Sequence, residues 1–228
     1  VDNEIKAIET SYNGYKFRSR LEARWAVFFD TVGMKYEYEP GGFENNGQRY
    51  LPDFYLPDAA NYGCFVEVKP NAMSRLPEIE KAVKCICAQT AKPLVLMGDI
   101  PLITDCSTWC YPMFGFNGIR GEIEVEMVPL ASQGEEPFFH QGLYISCQTL
   151  GNIWQVLNRR WKFPLGGMSC DRMEGSIFPK TPSVYGRDTV YMTESVAYWE
   201  SAEEATRAVV KPGYDKARAA RFEFGEAG

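Results

Sequence analysis

Asp53, Glu67 and Lys69 stand inside two apolar, strand-like runs, "RYLPDFYL" and "CFVEVKP", where an unpaired charge is costly. Alternate side chains of a strand share a face. Glu67 and Lys69 therefore project together, while Val66 and Val68 turn the other way, toward a core. The intervening "PDAANYG" has turn composition, so a hairpin is expected to bring Asp53 alongside Glu67. Two carboxylates at close range repel unless a cation lies between them. Oxygen-only ligands suit Mg2+, which keeps waters for chemistry. Such an ion polarises a phosphoryl oxygen and lowers the pKa of a bound water. The Lys69 amine is of a kind that orients that water or offsets developing negative charge. Glu22, from the preceding helix, is placed to hold a second cation or a bridging water.

The elements that must carry these residues are legible over the first hundred positions. "RSRLEARWAVFFDTVG" reads as a helix, because Leu21, Trp25, Phe28 and Val32 form one apolar stripe and Gly33 supplies a stop. "KYEYEP" reads as a short strand, and "RYLPDFYL" and "CFVEVKP" as two more. "LPEIEKAVKCICAQTA" is a second helix with Ile79, Val83 and Ile86 on one face, and "KPLVLMGD" a short buried strand. The order is helix, three strands, helix, strand. Adjacent strands with short connections favour a mixed sheet flanked by helices, since a doubly wound parallel sheet needs a helix after every strand.

With "PDF" at Pro52 and Asp53, "EVK" at Glu67 to Lys69, and the helix "FRSRLEARWAVFFDTVGMKYEYEP" ahead of them, residues 12–100 resemble the PD-(D/E)XK nuclease superfamily of phages and bacteria. The closing "ARAARFEFGE" is similar to the ending of some such phage-encoded proteins. The resemblance implies a restriction-endonuclease-like α/β fold, a mixed central sheet with an αβββαβ core. It also implies a Mg2+- or Mn2+-dependent endonuclease hydrolysing DNA phosphodiester bonds. Asp53, Glu67 and the Val68 carbonyl would bind the metal, Lys69 would assist the attacking water, and Glu22 would complete the active centre. The same metal chemistry serves RNA or branched DNA equally well. The alternative is a catalytically inactive module of this fold, a phage-encoded factor that binds a host protein or nucleic acid.

Each residue also has a plainer role open to it. "SRLE" fits a capping box in which Ser19 and Glu22 satisfy the helix start. Asp53 fits an edge-strand charge, and Glu67 with Lys69 an exposed pair worth little. Glu37 and Glu39 share a strand face, solvated or bordering the site. Arg18, Arg20 and Arg24 lie near Glu22 and are placed either to meet a phosphate backbone or to serve as surface charge. Lys84 and Gln89 on the second helix reach a phosphate or lie on a solvated face. In "IWQVLNRRWKF", Arg159 and Arg160 stand beside Trp154 and Trp161, a combination that stacks bases and binds phosphates or forms a solvated helix end. Cys106, Cys110, Cys147 and Cys170 either hold a structural zinc or are buried thiols.

Composition narrows the classes. The 228 residues are 45% hydrophobic and 24% charged, ordinary for a globular protein. The single histidine, His140, excludes His-paired and His-Glu-x-x-His chemistry. No Gly-x-Ser-x-Gly elbow or phosphate-cradling Gly-rich loop occurs. The net charge is -6, so nucleic-acid binding would rest on local basic patches rather than overall charge. Seven cysteines without a disulfide-like spacing point to reduced thiols and a cytoplasmic location, and no run is long enough to span a bilayer. Residues 101–228 are rich in aromatics, Gly and Pro. They are expected to elaborate the 1–100 core and to offer a possible protein-binding surface. Helices are expected over "QTLGNIWQVLNRRWKF", over "TESVAYWESAEEATRAVV" with a stop at Pro212 and Gly213, and over "YDKARAARFEF". "SVYGRDTVYM" reads as a strand pair or as one strand with a turn.

Overall fold

Helix formation follows the apolar stripes, and strand pairing follows the turns. A computed structural model describes residues 7–59, 63–70, 75–102, 109–133, 136–139, 143–147, 168–169, 183–185, 188–192 and 196–222. A hairpin, β1 (Thr10–Tyr12) and β2 (Tyr15–Phe17), leads into α1 (Arg20–Val32), which Gly33 closes. Next come β3 (Glu37–Tyr38), a second hairpin of β4 (Phe43–Asn45) and β5 (Gln48–Tyr50), then β6 (Phe54–Leu56) and β7 (Cys64–Val68). Helix α2 (Leu76–Thr90) and β8 (Leu94–Met97) complete the first hundred residues. The protein is thus mixed α/β, with five strands between α1 and α2, of which β3, β6 and β7 join the main sheet.

The remainder extends the same sheet. β9 (Trp109–Asn117), β10 (Glu122–Gln133), β11 (Glu136–Phe139) and β12 (Leu143–Cys147) follow. Further on are β13 (Met168–Ser169), β14 (Ser183–Tyr185), β15 (Asp188–Met192) and helix α3 (Val196–Ala219). The main path runs β14-β15-β12-β10-β9-β8-β7-β6-β3, with β11 on β10 and β13 on β9. Its ladders are antiparallel except β7–β8, which is parallel across α2. The sheet is therefore mixed, and "SVYGRDTVYM" supplies a strand pair, β14 with β15.

The two faces of the sheet have different cover. Val66, Val68, Val95, Met97 and Tyr111 pack with Trp25, Phe28 and Phe29 of α1 and Tyr214 of α3 into one core. Alternation sends Phe65, Glu67, Leu94 and Leu96 to the opposite face, where α2 and the β4–β5 hairpin lie. Every residue of β7 is buried, which explains a near-continuous apolar run interrupted only by Glu67.

Two expectations are corrected. "RYLPDFYL" is not one strand: β5 ends at Tyr50 and β6 begins at Phe54. Pro52 lacks the N–H that an unbroken ladder would need, and Tyr50 pairs instead with Phe43. That pairing is set by Asn46 and Gly47, whose φ of 49° and 75° make the two-residue turn that matches strand twist. Asn13 and Gly14, at 46° and 82°, do the same between β1 and β2. β3 is short, as expected, and ends at Tyr38, where Glu39 turns to φ 46°.

Pro212 and Gly213 do not stop a helix, because α3 runs through both. Packing outweighs propensity here. A Cβ on residue 213 would lie 2.5 Å from Val32 and 2.9 Å from the Phe28 ring, so glycine lets α3 approach α1 closely. One residue on, Tyr214 stacks on Phe28 at 4.6 Å and its hydroxyl meets that of Tyr111 at 2.7 Å. The expected helix over 148–163 lies outside the described residues, as do Trp154, Arg159, Arg160, Trp161, His140, Cys106 and Cys170.

Candidate functional site

The site is assembled by strand register. In the β6–β7 ladder Phe54 is opposite Val66 and Tyr55 opposite Phe65; one further step sets Asp53 opposite Glu67. Asp53 precedes β6 by one residue, and its backbone carbonyl accepts the Glu39 N–H at 2.9 Å. Its Oδ2 accepts the Val68 N–H at 2.8 Å. Asp53 and Glu67 are each 1% exposed. Lys69 donates from Nζ to Glu67 Oε1 at 2.5 Å, while its backbone N–H bonds Met97 O. Asp53, Glu67 and Lys69 thus meet in one buried cluster. The edge-strand and exposed-pair alternatives do not apply to them.

Four further residues close around this cluster, and two of them, Tyr50 and Tyr38, had no role in the sequence reading. Tyr50, at the end of β5, donates its hydroxyl to Glu67 Oε1 at 2.7 Å. Arg18 places Nη2 2.5 Å from Asp53 Oδ1 and Nε 2.7 Å from Glu39 Oε1. Tyr38 donates to Glu22 Oε2 at 2.8 Å. Arg18, which the sequence places either at a phosphate backbone or on the surface, is here the ionic partner of Asp53. The signal that finds Tyr50 is the Asn46-Gly47 turn, which fixes where its strand ends. Among the described residues, Glu67 Oε2 is buried without a hydrogen-bond partner.

Glu22 takes the capping role. Ser19 Oγ accepts its N–H at 3.2 Å and donates back to Oε1 at 2.7 Å. Oε2 accepts the Arg18 backbone N–H at 3.1 Å as well as the Tyr38 hydroxyl. Both carboxylate oxygens are engaged, so Glu22 acts on the cluster through its charge, which bears on Asp53.

The electrostatics follow from burial. Burial lifts the Asp53 carboxyl well above its usual range and the neighbouring Glu67 charge lifts it further; Lys69 and the Val68 N–H oppose this. Burial raises Glu67 too, against Lys69 and Tyr50. Burial alone would lower Lys69, but the Glu67 and Asp53 charges outweigh it and hold the amine protonated above its usual value. Arg18 behaves likewise, with Asp53 as its main support against burial. The Tyr50 phenol is pushed far up by burial and then by the Glu67 charge. The cluster therefore sets two buried carboxyl groups, both pushed toward the neutral form by burial, beside the cations Lys69 and Arg18.

The other candidates are placed elsewhere. Arg24 bonds Ala220 O through Nε at 3.4 Å, tying α1 to the end of α3. Arg20 is half-buried on the first turn of α1. On α2, Lys84 pairs with Glu80 at 2.6 Å and the Gln89 amide donates to Glu44 O, so both serve the helix and its hairpin. Cys110 and Cys147 lie opposite Pro129 and Ile123 of β10. Those positions are about 20 Å apart along the strand, too far to share a zinc ion.

Asp53 and Glu67 suit a hard cation in kind, since their donors are oxygens and Glu67 Oε2 is an unsatisfied buried acceptor. Among the described residues no group of three or more His, Cys, Asp or Glu side chains forms a metal-binding cluster. Compared with known proteins, the chain matches no family model, no curated protein and no solved structure.

Proposed function

We propose that the protein is a metal-dependent endonuclease of the PD-(D/E)XK kind, hydrolysing DNA phosphodiester bonds. The observation that supports it is the burial of Asp53 and Glu67 opposite one another, each 1% exposed, with the Lys69 amine on the same side. A fold has little stability to gain from two adjacent buried carboxylates, and such arrangements mark functional sites. The order of helix, three sheet strands, helix and strand over residues 20–97 is the order that the restriction-endonuclease-like core requires.

Asp53 and Glu67 would hold one Mg2+ or Mn2+, with the Val68 carbonyl as a further donor. When bound, such an ion supplies charge stabilisation at the phosphoryl oxygen and an acidified water. Lys69, held protonated, donates to negative charge and does not serve as a base. Tyr50 fixes Glu67 through Oε1 and leaves Oε2 for the ligand. Glu22 and Ser19 fix the turn that carries Arg18.

Purified protein is expected to nick supercoiled plasmid with Mg2+ or Mn2+ and not with chelator. Glu67→Ala and Lys69→Ala should each reduce cutting by at least about a hundredfold, the scale of losing one charge-stabilising group, with circular dichroism unchanged. Undiminished cutting by either variant removes that residue from its role.

A cation-independent interaction module is the second reading. One feature favours it: Arg18 and Lys69 already neutralise Asp53 and Glu67 from within. Calorimetric titration with Mn2+ separates the two, since a folded sample that takes up no Mn2+ is the module.

A further inference from the structure

We propose that Arg18 is an exchangeable internal counter-ion: it holds Asp53 Oδ1 in the cation-free protein and gives up that contact when a divalent cation binds. The inference rests on the metal-dependent reading above and adds a coupling to it. Three observations carry it.

First, Asp53 has two oxygens with unlike partners. Oδ2 is fixed by the Val68 N–H at 2.8 Å, deep in the sheet. Oδ1 is the oxygen a cation would take, and it is covered by the Arg18 guanidinium at 2.5 Å. A divalent ion and a guanidinium cannot share one side of one oxygen, because like charges repel at that range. Second, Arg18 is built to leave. Its side chain is 51% exposed, whereas that of Asp53 is 2% exposed. It lies just before α1, and its backbone stays anchored by N–H bonds to Glu22 Oε2 and the Tyr38 hydroxyl. Third, it has a second station. Nε is paired with Glu39 Oε1 at 2.7 Å, and Glu39 is the more open carboxylate. Release from Asp53 therefore leaves the guanidinium tethered at the mouth of the cluster with its planar fork unfilled. That fork matches a phosphate in shape and charge.

The consequence is a coupling between two ligands. Cation binding displaces Arg18, and a displaced Arg18 favours an anionic phosphate at the mouth. By linkage, phosphate then tightens the cation. Before either arrives, Arg18 is the cation on Asp53 as Lys69 is the cation on Glu67.

The test is calorimetric titration of Mn2+ into wild type and Arg18→Gln. Removing the competitor is expected to tighten Mn2+ binding about three- to tenfold, the scale of one half-exposed ion pair. Unchanged or weaker binding by a folded Arg18→Gln overturns the proposal and leaves the metal reading standing. Absence of Mn2+ binding in both proteins overturns the metal reading and the proposal with it. A second measurement covers a variant that does not fold. In wild-type protein, adding Mg2+ should move the Arg18 Nη–H resonances and speed their solvent exchange, while Nε–H stays on Glu39. Nη–H resonances unmoved at saturating Mg2+ overturn the exchange.

Discussion

At the scale of single residues, the Tyr50–Glu67 contact shows how the buried charge is held. Among the described residues, Glu67 Oε1 has two donors, the Tyr50 hydroxyl and Lys69 Nζ, and Oε2 has none. Tyr50→Phe deletes one of the two donors to a carboxyl oxygen on a side chain that is 1% exposed and paired with Lys69. A loss of about 1.5–3 kcal/mol is expected, the range for hydrogen bonds to charged groups, measured by urea unfolding. In a Glu67→Gln background the same change should lose only about 0.5–1.5 kcal/mol, the neutral-bond range. Equal losses in the two backgrounds would mean that Tyr50 acts by packing alone. The residues with unmistakable types, Asp53, Glu67 and Lys69, were legible in the sequence because charge inside apolar strands stands out. Their partners were not. A tyrosine in an aromatic-rich segment carries no mark of the carboxylate it will meet, and Arg18 looked like one of three equivalent arginines. The "SRLE" pattern left Glu22 between two roles, and only the Ser19 and Tyr38 hydroxyls decide between them.

At the scale of elements, pattern worked where local chemistry governs and failed where tertiary packing overrides it. Helix α1 was readable because its stripe and Gly33 agree. The β4–β5 hairpin was missed because the apolar run continued past Tyr50, although Asn46-Gly47 was the stronger signal. Helix α3 was cut short because Pro212 and Gly213 are poor helix formers, a cost offset by the close seat of residues 213 and 214 on α1. Gly213→Ala tests this account. Propensity alone predicts a gain of about 1 kcal/mol. The new Cβ, at 2.5 Å from Val32 and 2.9 Å from Phe28, predicts overpacking of about 1–3 kcal/mol, and Phe28 has little room to yield beneath Tyr214. A net destabilisation is expected, seen as a lower Tm. A raised Tm would mean the helices have slack at this crossing.

At the scale of the whole molecule, the division of the sequence at residue 100 does not coincide with a break in the structure. β9 pairs with β8 through Leu94↔Phe114 and Val95↔Met113. Trp25 and Phe28 of α1 are covered by Tyr111 and Tyr214 from the later residues. No described helix is long and apolar enough to cross a membrane. A chain ending at residue 102 would keep Asp53, Glu67 and Lys69. It would lose α3 from the core and leave β8, with its apolar Leu94–Met97 run, as an open edge, the condition that promotes strand-to-strand aggregation. Such a fragment is expected to be insoluble or to elute as aggregates in size-exclusion chromatography. It should lack the near-ultraviolet dichroism of Trp25, its one tryptophan. A monodisperse fragment with that signal intact would show that the first hundred residues close their own core. The later strands and α3 would then be an addition to the candidate site's support and no part of its foundation.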